Sequence, residues 1–412
     1  MRKRLFDEQH DRLFLLIGFA IALILRLVVA LALPENFLPD AMSDRLQYHQ
    51  IANNLLDNGV FGLEPGIPDQ YVPPGYPAFL AVIYFFFGRT VAGPGVRIAQ
   101  SVLGALATVL IFYLARRIYP TDRRVAFLAA LAVALHPILI LYCSFQLTET
   151  LYTLSTIAFL LLLSRSLDDL NLWWGLASGM MLGLAILVRE VLVIFPLLIA
   201  ALLLARSEVW RQRLAYFAVL ILGTGMIISP WIARNSLHAG RLTFVTGRAS
   251  SAAQMVTGTA TTFQTPGETA RQQHKRELDA ARYATFDEML DLQFALSDPV
   301  YYVWLAGVRF ELTWLHPKGL ESLPPGAMRW GYRLAHGVIL LLGVVGVWEA
   351  FRRQRRIAWL LPAIWLYTIT VHLFLSTAEP RYAVPVLPVI LILAVAGVFW
   401  LWGLIRKPTR LP

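Results

Sequence analysis

Leu13-Phe14-Leu15-Leu16-Ile17-Gly18-Phe19-Ala20-Ile21-Ala22-Leu23-Ile24-Leu25-Arg26-Leu27-Val28-Val29-Ala30-Leu31-Ala32-Leu33 is an apolar run with a single charged residue. A helix needs about 20 such residues to cross the hydrocarbon layer of a bilayer, and this run supplies them. It follows Met1-Arg2-Lys3-Arg4. The run is too long for a signal-peptide core, and Leu33-Pro34-Glu35-Asn36 lacks a small-x-small cleavage pattern, so it reads as a retained first span.

Nine more apolar runs follow, near 97–115, 125–142, 148–164, 172–188, 191–205, 214–233, 330–350, 357–375 and 383–404. The chain therefore reads as an all-α integral membrane protein, a polytopic bundle of about ten transmembrane helices in one domain over 1–412. Composition agrees: 57% of the 412 residues are hydrophobic, only 15% are charged, and mean hydropathy is +0.59. The net charge of +10 does not indicate a nucleic-acid partner, because the basic residues fall in short clusters between apolar runs instead of on one polar face.

Those clusters orient the spans. Arg2/Lys3/Arg4, Arg116/Arg117/Arg123/Arg124, Arg206/Arg211/Arg213, Arg352/Arg353/Arg355/Arg356 and Arg406/Lys407/Arg410 occupy alternate connections, and the opposite short connections hold few basic residues. Positive residues favour the cytoplasmic side, so both termini are expected inside, in the cell membrane. The two long connections, about 34–96 and about 234–329, then face outward, where loops on a rigid scaffold commonly carry function. In the fifth run Gly175, Gly179 and Gly183 recur every four residues, spacing that lets another helix approach closely.

The first outer loop is the more informative. After Asp40 it reads Ser43-Asp44-Arg45-Leu46-Gln47-Tyr48-His49, and Tyr48, Ile51, Ala52 and Leu55 recur at helical spacing. An amphipathic interfacial helix is expected, with Ser43 as N-cap, Gly59 as its stop, and Asp44 in the first turn, where free N–H groups favour a carboxylate. Tyr71-Val72-Pro73-Pro74-Gly75-Tyr76-Pro77 then introduces Ala78 to Phe87, which ends at Gly88. That segment is too short to span, so it should dip into the interface and turn back.

The order Asp44-x3-Tyr48, then Pro73-Pro74-Gly75-Tyr76-Pro77, then a short apolar run ending in Gly resembles the first extracytoplasmic loop of GT-C glycosyltransferases. These are enzymes of the dolichyl-phosphate-mannose:protein mannosyltransferase and aminoarabinose-transferase type, glycosyltransferase family 39. Thr148-Glu149-Thr150-Leu151, Pro230-Trp231-Ile232-Ala233-Arg234-Asn235 and Glu379-Pro380-Arg381-Tyr382 extend the resemblance over most of the chain. It implies that Asp44 is the catalytic residue and that the donor is a polyprenyl-phosphate sugar. Asp40, which lacks a tyrosine four residues on, is the lesser alternative. Two departures bear on donor contacts: many members have a second acidic residue where Arg45 stands, and the aminoarabinose transferases have a lysine near Val72. Members often append a soluble domain, whereas only Arg406 to Pro412 follow the last run here.

The chemistry fits these residue types. Displacement at an anomeric carbon needs a carboxylate to deprotonate the acceptor hydroxyl and cations to neutralise the departing phosphate. Arg234 and Arg381, at outer span ends, can hold phosphate oxygens with paired hydrogen bonds, with Tyr382 and Tyr48 beside them. Arg45, His49, Arg189 and Glu149 are further candidates, Glu149 ahead of Glu190 because a carboxylate at membrane depth is costly. Interfacial anchoring is the plainer role for any of the arginines and tyrosines. No His/Cys/Asp cluster has metal-ligand spacing, so no cofactor is evident, and a divalent ion would enter with the donor phosphate. The acceptor, whether glycan, lipid or protein, is not encoded in a recognisable motif. A lipid-linked sugar transporter or flippase, the main rival, would place polar residues at span midpoints; a polysaccharide ligase is the other, and a non-catalytic relative of the same fold the third.

Overall fold

The computed structural model describes residues 2–34, 42–89, 93–204, 210–246, 299–315, 327–352, 356–375 and 380–406. Asp40, Glu379, most of the long connection at about 234–329 and parts of three basic clusters lie outside them. Among the described residues all regular structure is helical, with no strand.

The elements are α1 (Arg2–Ala32), α2 (Met42–Asn58), α3 (Gly75–Phe87), α4 (Pro94–Ile118), α5 (Arg123–Leu135), α6 (Pro137–Leu141), α7 (Glu149–Ser166), α8 (Leu172–Val188), α9 (Phe195–Leu204) and α10 (Trp210–Ala239). They continue with α11 (Pro299–Trp314), α12 (Ala327–Arg352), α13 (Leu360–Thr370) and α14 (Leu387–Arg406). Among the described residues five helices are long and apolar enough to cross a membrane: α1, α4, α10, α12 and α14, the last counted from Arg381. The α5–α6 pair makes a sixth if its two bent halves count as one span. The other expected spans are built differently. Residues 172–188, 190–203 and 357–373 form shorter apolar helices, and α7 is a buried helix studded with hydroxyl groups.

The expected span at 125–142 is broken by 53° at His136. Pro137 has no N–H to give to Val133, so the end of α5 is left with carbonyls unserved at membrane depth. Arg26 of α1, 1% exposed, meets them: its guanidinium donates to Val133 O at 3.0 Å, Ala134 O at 3.1 Å and Ala22 O at 3.0 Å. A charge inside the first apolar run thus caps a helix on another span.

Close helix contacts follow the small residues. A Cβ on Gly179 would lie 2.0 Å from Leu220 O and one on Gly223 2.4 Å from Leu176 O, so α8 and α10 touch backbone to backbone. Gly346 and Gly397 do the same for α12 and α14, against Leu393 O and Leu342 O.

The helices put like charges at like ends. Arg117 pairs with Asp168 at 2.5 Å, Arg123 with Asp11, and Arg124 lies over the Phe399 ring, joining the ends of α1, α4, α5, α7 and α14 on one side of the bundle. The N-termini of α2 and α7 and the C-terminus of α8 gather on the opposite side.

On that second side lie α2 and α3. Helix α2 stops at Gly59 (φ +64°) and α3 at Gly88 (φ +94°), both positions where the sequence calls for a stop. Helix α2 starts at Met42, one residue before the expected cap Ser43, which therefore sits in the first turn with Asp44. Its apolar face does not lie bare on lipid: Ile51 and Ala52 are fully buried, packed with Tyr76, Leu80, Phe61 and Val72. Helix α3 is the lipid-facing one, with Phe85, Phe86 and Phe87 at 70–73% exposure.

Candidate active site

Asp44, held in the first turn of α2, makes an ion pair of 2.7 Å with the Arg381 guanidinium, and the two side chains keep 25% and 14% exposure. Arg381 sits in the short 3-10 segment Pro380–Val386 that leads into α14. Its Nε lies 3.9 Å from Glu149 Oε1, and Arg189 donates to the same oxygen at 3.1 Å. Glu149 is in the first turn of α7 and only 1% exposed, and Arg189 closes the C-terminus of α8. Four chain segments far apart in sequence thereby place two carboxylates and two guanidiniums in alternation.

Aromatic rings complete the cluster. Arg189 lies over the Tyr382 ring at 4.2 Å and Arg381 at 5.4 Å, contacts that stabilise a desolvated cation. Tyr48, one turn after Asp44, packs edge-on against Tyr76 at 5.2 Å. Burial, reinforced by the Asp44 carboxylate, pushes the Tyr48 hydroxyl above its usual pKa, so it stays a neutral donor at pH 7. Tyr76 in turn donates to Gln100, which donates to Phe145 O at 2.6 Å and Cys143 O at 3.1 Å and so ties α3 to α4 and to the turn before α7.

Of the residues expected from sequence, Asp44, Tyr48, Glu149, Arg189, Arg381 and Tyr382 come together. Arg45 and His49 face a neighbouring strip of α2. There His49 hydrogen-bonds Tyr84 at 2.9 Å and Asn53 at 3.0 Å, and Gln146 donates to Tyr84. Burial pushes the Tyr84 hydroxyl up to about 12, while burial and the Arg45 charge hold His49 below the usual imidazole value.

Arg234 is used elsewhere. It donates to Phe61 O at 2.8 Å, to Asp69 O and to Asn235 at 3.0 Å, and lies 4.7 Å over Trp231. Asp69 also accepts from Leu63 N and Tyr71 N, so Arg234 fixes the loop between α2 and α3 to the end of α10. Glu190, ranked below Glu149, accepts from Thr246 at 2.8 Å. Arg189 is no solvated interfacial anchor, since Glu149 and Tyr382 enclose it. Sequence reasoning passed over His372, which stacks on Tyr382; nothing in its apolar surroundings signals the contact. Among the described residues, no three His, Cys, Asp or Glu side chains gather as a metal-binding set.

The helical fold that carries this cluster is similar to that of solved membrane glycosyltransferases of the GT-C type. The family model for dolichyl-phosphate-mannose-protein mannosyltransferase matches residues 71–233. ArnT from Cupriavidus metallidurans bound to undecaprenyl phosphate superposes with a TM-score of 0.55 at 18% identity, over 94% of this chain and 61% of ArnT. The oligosaccharyltransferase AglB from Archaeoglobus fulgidus, in complex with an inhibitory peptide and a dolichol-phosphate, gives 0.54 at 15% identity, over 99% of this chain and 53% of AglB. The chain thus spans about three fifths of the one and half of the other. No curated protein sequence matches it.

Proposed function

We propose that the protein transfers a hexosyl or pentosyl unit from a polyprenyl-phosphate carrier to an acceptor on the extracytoplasmic side of the cell membrane, with both termini cytoplasmic. The observation that carries this reading is the Asp44–Arg381 pair beside the Arg189–Glu149 pair. The likeness to ArnT, solved with undecaprenyl phosphate, and to AglB, solved with a dolichol-phosphate, supports a lipid-phosphate donor.

In this reading Asp44 is the general base and the reaction inverts the anomeric centre. Arg381 balances the Asp44 charge until a donor binds. The donor phosphate then engages the guanidinium, and Asp44 turns to the acceptor hydroxyl, takes its proton, and lets the oxygen attack the anomeric carbon as the phosphate leaves. Arg189, with Glu149 and Tyr382 around it, adds a second fixed cation for the leaving group. In this reading Arg381 and Arg189 share the neutralisation of the leaving phosphate with any divalent ion that arrives bound to the donor.

Incubation of the purified protein with a panel of polyprenyl-phosphate sugars and candidate acceptors, followed by mass spectrometry, tests the reading. A new glycosidic product with an inverted linkage supports it. Donors left intact across the panel, or products that retain the anomeric configuration, would refute it.

A further inference from the structure

Behind the cluster, the helix that begins with α13 passes into a π-helical turn over Val371–Leu375. Such turns widen a helix by one residue and occur often at functional sites. This one is fixed from outside: Arg309 of α11, fully buried, donates to Leu373 O at 2.8 Å and to His372 O at 3.3 Å. The turn presents His372, 2% exposed, to the active site. Its ring stacks on Tyr382 with centroids 4.8 Å apart and planes 24° from parallel.

The hydrogen bonds of His372 do not account for its position. Its Nδ1 is buried without a hydrogen-bond partner among the described residues, an arrangement that costs stability and calls for a reason. The ring lines a cavity of about 10 Å³ together with Tyr152, Thr156, Arg189, Thr368 and Tyr382. Such a volume holds at most one water, so no part of a sugar enters it. The contact the ring does make is the flat one with Tyr382, the residue over which both Arg189 and Arg381 lie.

We propose that His372 is a positioning residue for the donor phosphate: its stack holds Tyr382 in the plane that aligns Arg189 and Arg381. The proposal rests on the reading of this cluster as a phosphate site. An aromatic pair of this geometry is worth enough that its loss should weaken phosphate binding about 2- to 10-fold.

The test measures binding of polyprenyl monophosphate to the full chain in nanodiscs, alongside donor and acceptor KM. His372→Phe keeps a flat ring and should stay within about twofold of the parent, whereas His372→Leu, of similar size without the ring, should bind the lipid phosphate about 2- to 10-fold more weakly and raise donor KM alike. Acceptor KM should not move. Equal binding by the Leu and Phe variants would overturn the proposal, as would equal shifts in donor and acceptor KM. A parent that binds polyprenyl phosphate yet transfers no sugar would refute the transferase reading, while the same binding comparison still decides the role of the stack.

Discussion

Arg381→Lys separates charge from geometry in the cluster. In the parent, one guanidinium reaches Asp44 at 2.7 Å, approaches Glu149 at 3.9 Å and lies 5.4 Å over Tyr382. A lysine ammonium is a point charge that can satisfy one of these directions and cannot form two parallel hydrogen bonds with a phosphate. If one charge-assisted hydrogen bond, worth about 1.5–3 kcal/mol, is lost on donor binding, donor KM should rise about 10- to 100-fold. Folding should suffer much less, because the positive charge stays beside Asp44 and Glu149 keeps Arg189 at 3.1 Å. The assay is donor titration at saturating acceptor in nanodiscs, with a thermal melt of each variant. A donor KM within about twofold of the parent, in a variant that melts normally, would show that Arg381 serves only to balance Asp44 and that the phosphate site lies elsewhere.

Asp44→Asn keeps size but cannot accept a proton, so turnover should fall by about 10²–10⁴-fold with donor binding little changed; Asp40→Asn is the control, and loss of turnover there instead would move the base to Asp40. With Gln354→Cys and Glu64→Cys, an impermeant thiol reagent on intact cells should label only the latter, and labelling of the former alone would invert the proposed orientation. Arg26→Met should leave the carbonyls of Val133 and Ala134 unserved and lower thermal stability by about 1–3 kcal/mol for each, and an unchanged melt would show that the break at Pro137 needs no cap. His49 has a depressed folded-state pKa, so between that value and the ordinary one near pH 6.5 the unfolded chain binds more protons and stability drops as pH falls. His49→Gln should flatten that slope in pH-dependent melts, and an unaltered slope would remove His49 as its source.

Much of the scaffold is legible because the bilayer forces regularity on it. An apolar run of spanning length has to be a helix, and the stops at Gly59 and Gly88 and the glycine stripe of α8 follow from backbone sterics. What the sequence obscures is where a run is interrupted. Residues 125–142 read as one span because apolar side chains continue through Pro137, and Arg26, 108 residues before Ala134, is what makes the break tolerable. The amphipathic reading of α2 is incomplete for a related reason: periodicity reveals that a face is apolar but not whether lipid or α3 covers it.

The site divides along the same line. Asp44 and Glu149 each stand in the first turn of a helix, a position that local sequence reveals. The arginines do not sort so easily, since Arg234 and Arg381 both stand at outer helix ends in the sequence and both can bind phosphate in principle. Their difference is set by what the fold brings opposite each: backbone carbonyls of Phe61 and Asp69 for Arg234, and the carboxylates of Asp44 and Glu149 for Arg381. A guanidinium committed to neutral carbonyls shapes a loop. One held between carboxylates beside an aromatic ring carries charge that an arriving phosphate can take over, and so Arg234→Lys should disturb the loop between α2 and α3, and with it donor and acceptor KM together, where Arg381→Lys acts on donor KM alone. Donor-selective loss in Arg234→Lys with acceptor KM unmoved would return Arg234 to the phosphate site.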